Sequence, residues 1–255
     1  MNAVSQEKAL PISIAGDLTV GDLTGAIAAG WRDFRACPQY GLFFGAVFVI
    51  VGLVLTHLLL NRGEYFWLIP AMAGFPLIAP FAAAGLYEAS RRRLAGERAS
   101  WRPVLAAVSA GDGQLPVMGV IAFVIFAFWV ILAHTVFGVF LGQSGMGADP
   151  IRTLLSPAGL GMLAVGGAIG GIIALLLFTI MVVSLPMLID REVDFITAII
   201  TSIRVVGQNR AVMLAWAIIV ALILFAAMIP ALLGLLVALP VLGHATFHLY
   251  RRAVR

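Results

Sequence analysis

Residues 156–190 read SPAGLGMLAVGGAIGGIIALLLFTIMVVSLPMLID, and no ionisable side chain stands between Ser156 and Asp190. An α-helix rises 1.5 Å per residue and the hydrocarbon core of a bilayer is roughly 30 Å thick, so about twenty apolar residues suffice to cross it. Ser156 is a good N-cap and Pro157 suits the first helical position. The stretch reads as a membrane span, 157–189, and not as a core helix of a soluble domain.

The same pattern recurs on both sides. Apolar runs cover 41–60, 65–87 and 116–141 before this span, and 211–250 after it. The last run is too long for one crossing and holds Met228-Ile229-Pro230, which divides it into 211–229 and 231–250. Six spans result, in an all-α polytopic transmembrane bundle; five spans are the alternative. Composition agrees: 62% of the residues are hydrophobic and 11% charged, against roughly a quarter charged in soluble domains. Glu7, Lys8, Asp17, Asp22, Arg32, Asp33 and Arg35 precede the first apolar run, so no removable signal peptide is expected. Residues 1–21 read as a flexible cytoplasmic N-terminus and 22–255 as a single membrane domain. Cys37 is the one cysteine, which excludes an internal disulfide and a cysteine-built metal centre.

Basic residues set the direction, because Lys and Arg accumulate in cytoplasmic loops. With the N-terminus inside and six spans, only Arg62 and Arg152 of the sixteen basic residues fall outside. Five spans would export Arg251, Arg252 and Arg255. The expectation is a bacterial inner-membrane protein with both ends cytoplasmic, and the net charge of +4 then serves anionic lipid heads, with no need for nucleic acid.

A cytoplasmic segment of helical periodicity precedes each pair of spans: Leu23, Ile27, Trp31 and Phe34; Trp101, Val104, Leu105 and Val108; Ile196, Ile199, Ile200, Ile203 and Val206. In the third, Thr197, Thr201, Arg204 and Gln208 recur on the opposite face, the mark of an amphipathic interfacial helix. The second span of each pair carries proline, at Pro76 and Pro80, Pro186, and Pro240. These features suggest a threefold internal repeat; the alternative is that hydrophobic hairpins look alike by composition.

Three stretches, PFAAAGLYE at 80–88 with Arg91-Arg92, SLPMLIDREVDF at 184–195 and LPVLGHATFHLYR at 239–251, together resemble the domain of unknown function 2189 family of proteobacterial integral membrane proteins, from about Trp31 onward. The resemblance implies the membrane fold and brings no activity. Some relatives bear labels linking them to cytochrome oxidase, but the chain has no haem–copper ligand pattern of an oxidase catalytic subunit.

No Asp, Glu, Lys or Arg lies deep in any span, which removes weight from ion-coupled transport. His244 and His248 are four apart and share a helix face near the cytoplasmic end. Glu88 and Asp190 close the second and fourth spans at that level, so these four are the candidates for a metal site or polar latch. Against a metal, Asp190 is placed to cap the following helix and Glu88 to pair with Arg91 or Arg92. His57 and His134 lie in the outer halves of spans one and three, the minimum for a bis-histidine haem, with no surrounding motif. Gly159, Gly161, Gly166, Gly167, Gly170 and Gly171 give the fourth span two small-x-x-x-small faces for close helix packing, the internal neighbour being the favoured partner. Trp129 and Trp216 lie deep enough to fill the bundle.

No cofactor and no catalytic constellation is expected. The sequence favours a non-catalytic accessory, assembly or lipid-organising component of a larger membrane complex, respiratory among the options, in contact with lipid and with other membrane subunits. The alternative is a channel or transporter for a neutral or lipidic solute, which calls for a continuous cavity lined by the even-numbered spans. An enzyme using the histidines is the third reading.

Overall fold

Thr19 begins the first helix. Its hydroxyl accepts from the Asp22 amide while the Asp22 carboxylate accepts from the Thr19 amide, a capping box. The structure, a computed structural model, describes residues 12–64, 67, 68, 71, 83–108, 113–142 and 149–255. In chain order the described helices are α1 (Val20–Ala36), α2 (Pro38–Asn61), α3 (Ala84–Leu94), α4 (Trp101–Ala106), α5 (Gln114–Leu141), α6 (Pro150–Leu154), α7 (Pro157–Met181), α8 (Ser184–Asp190), α9 (Phe195–Gln208), α10 (Arg210–Met228) and α11 (Leu235–Ala253). No strand occurs among the described residues beyond the isolated bridge between Ile14 and Val254. The chain is all-helical.

Four stretches are long and apolar enough to cross a membrane: Pro38–Asn61, Gln114–Leu141, Pro157–Asp190 and Arg210–Met228. They carry the expected spans one, three, four and five. The second expected span, 65–87, lies outside the described residues apart from 67, 68, 71 and its last five positions. α11, 19 residues long, stands where the sixth span was expected, but it is not among the four stretches apolar enough to cross. It is less apolar than the others because it carries His244, His248, Arg251 and Arg252; α11 is the post around which α1, α2, α3 and α10 pack. As expected, the 211–250 run divides near Pro230, with Ala231 and Leu232 turning the chain at positive φ.

The fourth span is not one continuous helix. It breaks at residues 182–183, between α7 and α8. Pro186 has no N–H to give Val182 and disfavours helical geometry just before it. Ser202 of α9 enters the gap. Its hydroxyl accepts from the Val183 amide at 3.3 Å and donates to the Thr179 carbonyl at 2.7 Å, bridging the two ends of the missing helical bond.

Two amphipathic helices turn partly away from their hydrophobic stripes. On α9 the buried side chains are Ala198, Thr201, Ser202 and Val205, while Ile196, Ile200 and Ile203 are exposed. In water this would be inverted; against lipid it is not, because helices associate in a bilayer through small residues and hydrogen bonds rather than through apolar burial. On α1 the buried face is Leu23, Ala26, Ala29, Gly30, Asp33 and Phe34, with Trp31 turned outward. Of the expected stripe, Leu23 and Phe34 are buried and Ile27 packs against the core, while Trp31 is exposed. The small residues of this face again allow the closest approach.

The N-terminal segment expected to be flexible is held in its described part. The Ala15 amide donates to the Ala253 carbonyl and the Arg255 amide to Ser13, at 2.9 and 2.8 Å, so the two ends of the described chain lie side by side. Buried Asn209 completes the tie: its Oδ1 accepts from the Leu18 amide at 3.1 Å and its Nδ2 donates to Ala15 at 2.9 Å. Asn209→Ala leaves the Leu18 amide without its acceptor, a loss of about 1–3 kcal/mol. Hydrogen exchange should rise at Leu18 and through 12–18 while the α5 and α7 amides stay protected; equal protection at Leu18 would refute the tie.

Candidate functional site

The polar residues gather at one end of the bundle. α3 ends in Arg91-Arg92-Arg93, cations placed where a helix dipole favours them. Ser90 and Arg93 share one face of α3. His244 and His248 share a face of α11, one turn apart. α1 supplies the group between them, Asp33. Gly30, one turn earlier, lets the α1 backbone lie against α11: a Cβ there would stand 2.5 Å from the Val241 carbonyl oxygen and 2.6 Å from the Ala245 nitrogen.

Asp33 receives donors from two helices. Arg93 Nε donates to Oδ1 at 2.9 Å, while Ser90 Oγ at 2.6 Å and His248 Nε2 at 2.8 Å reach Oδ2. Ser90 also meets His244 Nδ1 at 2.8 Å. A hydroxyl has one proton. With that proton given to the carboxylate, Ser90 accepts from His244, which assigns the His244 proton to Nδ1 and leaves Nε2 a bare acceptor. That nitrogen is buried with no hydrogen-bond partner. Burial alone would raise the Asp33 carboxyl, but the hydrogen bonds from His248, Ser90 and Arg93 overcome it and hold the group well below the usual carboxylate range.

The three residue types are those of a hydrolytic triad, yet their order is not. A serine nucleophile must give its proton to histidine; here Ser90 gives it to Asp33. Ser90 and His244 are both fully buried. The arrangement is a latch joining α1, α3 and α11.

The other acidic residues form separate pairs. Glu88 takes two bonds from Arg91, at 2.7 and 2.9 Å, and one from Arg92 at 2.6 Å. Asp190 accepts from the Tyr250 hydroxyl at 2.9 Å and from Arg251 at 2.7 Å. Arg252 bridges Asp22 and Asp17. The structure thus brings His244 and His248 together around Asp33, which the sequence did not single out, and places Glu88 and Asp190 apart from them, lining one shared pocket with different hydrogen-bond partners. Among the described residues no three His, Cys, Asp or Glu side chains converge to hold a metal ion. At the opposite end, His57 Nε2 is bonded to Asn61 at 2.8 Å and His134 stacks on Trp67 at 5.3 Å.

The glycines of α7 divide. A Cβ at Gly170 would run into the Trp129 ring of α5, and one at Gly166 would touch Val136 of α5 at 3.6 Å, whereas Gly167 and Gly171 face open space. The favoured internal neighbour is α5, for one face only. Gly171 instead lines a cleft of about 410 Å³ between α7 and α10, whose inner end is formed by Tyr87, Trp216 and Thr246. A second small-residue face, not read from the sequence, joins α2 to α11: Gly41 meets Pro240 and Gly45 meets Leu236. Its signal was Gly41-x-x-x-Gly45.

Four helices long and apolar enough to cross a membrane mark a polytopic integral membrane protein. Residues 68–190 match the model of the family described as "Predicted integral membrane protein (DUF2189)", the family that the sequence resembles. That stretch contributes Ser90 and Arg93 to the latch, while Asp33, His244 and His248 lie outside it. No curated protein and no solved structure matches the chain.

Proposed function

We propose that the chain is a non-catalytic component of the bacterial inner membrane, with six spans and both termini cytoplasmic, serving as an accessory, assembly or lipid-organising part of a larger membrane complex. The observation that carries this reading is the latch itself: its serine and histidine are fully buried, and Asp33 is engaged on both oxygens. The pairing of Ser13 with Arg255 favours an even number of spans, and α1–α2, α4–α5 and α9–α10 each set a short helix ahead of a long apolar one, in keeping with the threefold repeat. The test is to tag the chain in its native membrane, extract it mildly and identify by mass spectrometry what co-purifies in fixed ratio. A stoichiometric membrane subunit is the expected result; recovery of the chain alone would refute the accessory reading. A second reading, passage of a neutral or lipidic solute, is favoured by the cleft between α7 and α10. It requires flux of that solute in vesicles containing the purified chain.

A further inference from the structure

The cleft between α7 and α10 has dimensions and chemistry that specify an occupant. Its lining runs along α7 from Gly171 to Met181 and on to Val182 at the break, about 16 Å at 1.5 Å per residue, which is half of a hydrocarbon core of roughly 30 Å. Its depth is that of one leaflet. A volume of about 410 Å³ over that length leaves atom centres a path under 6 Å across, or about 8 Å between the walls, whereas a helix with its side chains needs about 10–12 Å. A single hydrocarbon chain fits and a partner helix does not.

The rim residues Leu175, Leu214, Ile218 and Phe225 are 42–51% exposed, so the cleft opens sideways to lipid. No charged side chain lines it. Its polar groups, the Trp216 indole and the Tyr87 and Thr246 hydroxyls, all lie toward the end that carries the latch. Trp216 is 0% exposed and its Nε1–H has no acceptor. An indole nitrogen only donates, and a buried donor without a partner is costly. The occupant that answers both features is a neutral oxygen acceptor on an apolar chain.

We propose that this cleft is a lipid site, holding one acyl chain of a glycerolipid from the leaflet at the latch end, with the ester carbonyl accepting a hydrogen bond from Trp216 Nε1–H. The site rests on the lipid-contact part of the proposed function and is independent of the accessory role, since a chain that purifies without partners still takes up lipid.

The test uses the full chain in phosphatidylethanolamine–phosphatidylglycerol vesicles doped with a phosphatidylethanolamine whose acyl chain carries a diazirine. After illumination, cross-linked peptides are mapped by mass spectrometry. Labels should concentrate on 171–182 and 214–225. Gly171→Leu with Ala217→Leu fills the cleft from both walls and should abolish that concentration. Trp216→Phe keeps the ring and removes the donor, and should lower it about two- to tenfold, the worth of one hydrogen bond. Gly167→Leu, at open space outside the cleft, should leave it unchanged. Each variant is checked for monodisperse elution. Labels spread evenly over the lipid-facing sides of α2 and α5, or concentrated labels that persist after filling, would overturn the site. Displacement of the probe by an isoprenoid quinone but not by unlabelled glycerolipid would overturn the acyl assignment.

Discussion

Asp33→Ala should destabilise the protein by about 3–5 kcal/mol, the usual cost of removing one partner from a buried charged network. The carboxylate is 6% exposed and accepts from Ser90, Arg93 and His248, so the substitution strands three donors at once. Arg93 is about a third exposed and can turn to water, which puts most of the loss on Ser90 and His248. The measurement is the unfolding midpoint of purified protein in detergent. Adding His248→Leu to Asp33→Ala should restore part of the loss, because an apolar replacement of both members of a buried pair leaves neither unsatisfied, whereas adding Arg93→Leu should restore little. A single variant with wild-type stability would show that the latch holds nothing.

The sign of the pH dependence follows from the depressed Asp33 carboxyl. A group whose folded pKa lies below its unfolded value, about 3.9 for aspartate, stabilises fully above the unfolded value. The contribution is lost as pH falls from there through the folded one. Wild-type stability should therefore decline below about pH 4 more steeply than that of Asp33→Ala. Equal slopes in acid would refute the assignment.

Four of the spans were legible because a membrane helix announces itself locally, by a run of side chains with no charge. The break at 182–183 was half legible. Pro186 marks the place, but the hydroxyl that repairs the ladder comes from Ser202, on another helix. The latch shows the same limit. His244 and His248 share a face by spacing alone, yet their partner is 215 residues from His248, and no periodicity reports a pairing at that distance. Asp33 was passed over because α1 was read by its large apolar residues. In a bilayer the packed face follows the small ones, Ala26, Ala29 and Gly30, and a carboxylate in register with them is carried into the interface. Glu88 was better placed, since its Arg91 and Arg92 partners lie within one turn of the same helix.

Gly30→Ala gives the sharpest test of that packing rule, because two effects predict opposite signs. Within a helix, alanine is favoured over glycine by about 0.5–1 kcal/mol, so an unconstrained position gains stability. At Gly30 the new methyl would stand 2.5 Å from the Val241 carbonyl oxygen and 2.6 Å from the Ala245 nitrogen. Both are backbone atoms of α11, which cannot swing aside as a side-chain tip can. α1 must move away bodily, and Asp33, one turn further on, is drawn from His248. The expected cost is at the upper end of the 1–3 kcal/mol of ordinary overpacking, with the disturbed latch added to it. Gly25→Ala is the matched control, on the same helix with nothing within 4 Å of the added carbon. It should raise the unfolding midpoint while Gly30→Ala lowers it. If both raise the midpoint, α1 does not pack on α11 at Gly30, and the placement of Asp33 fails with it.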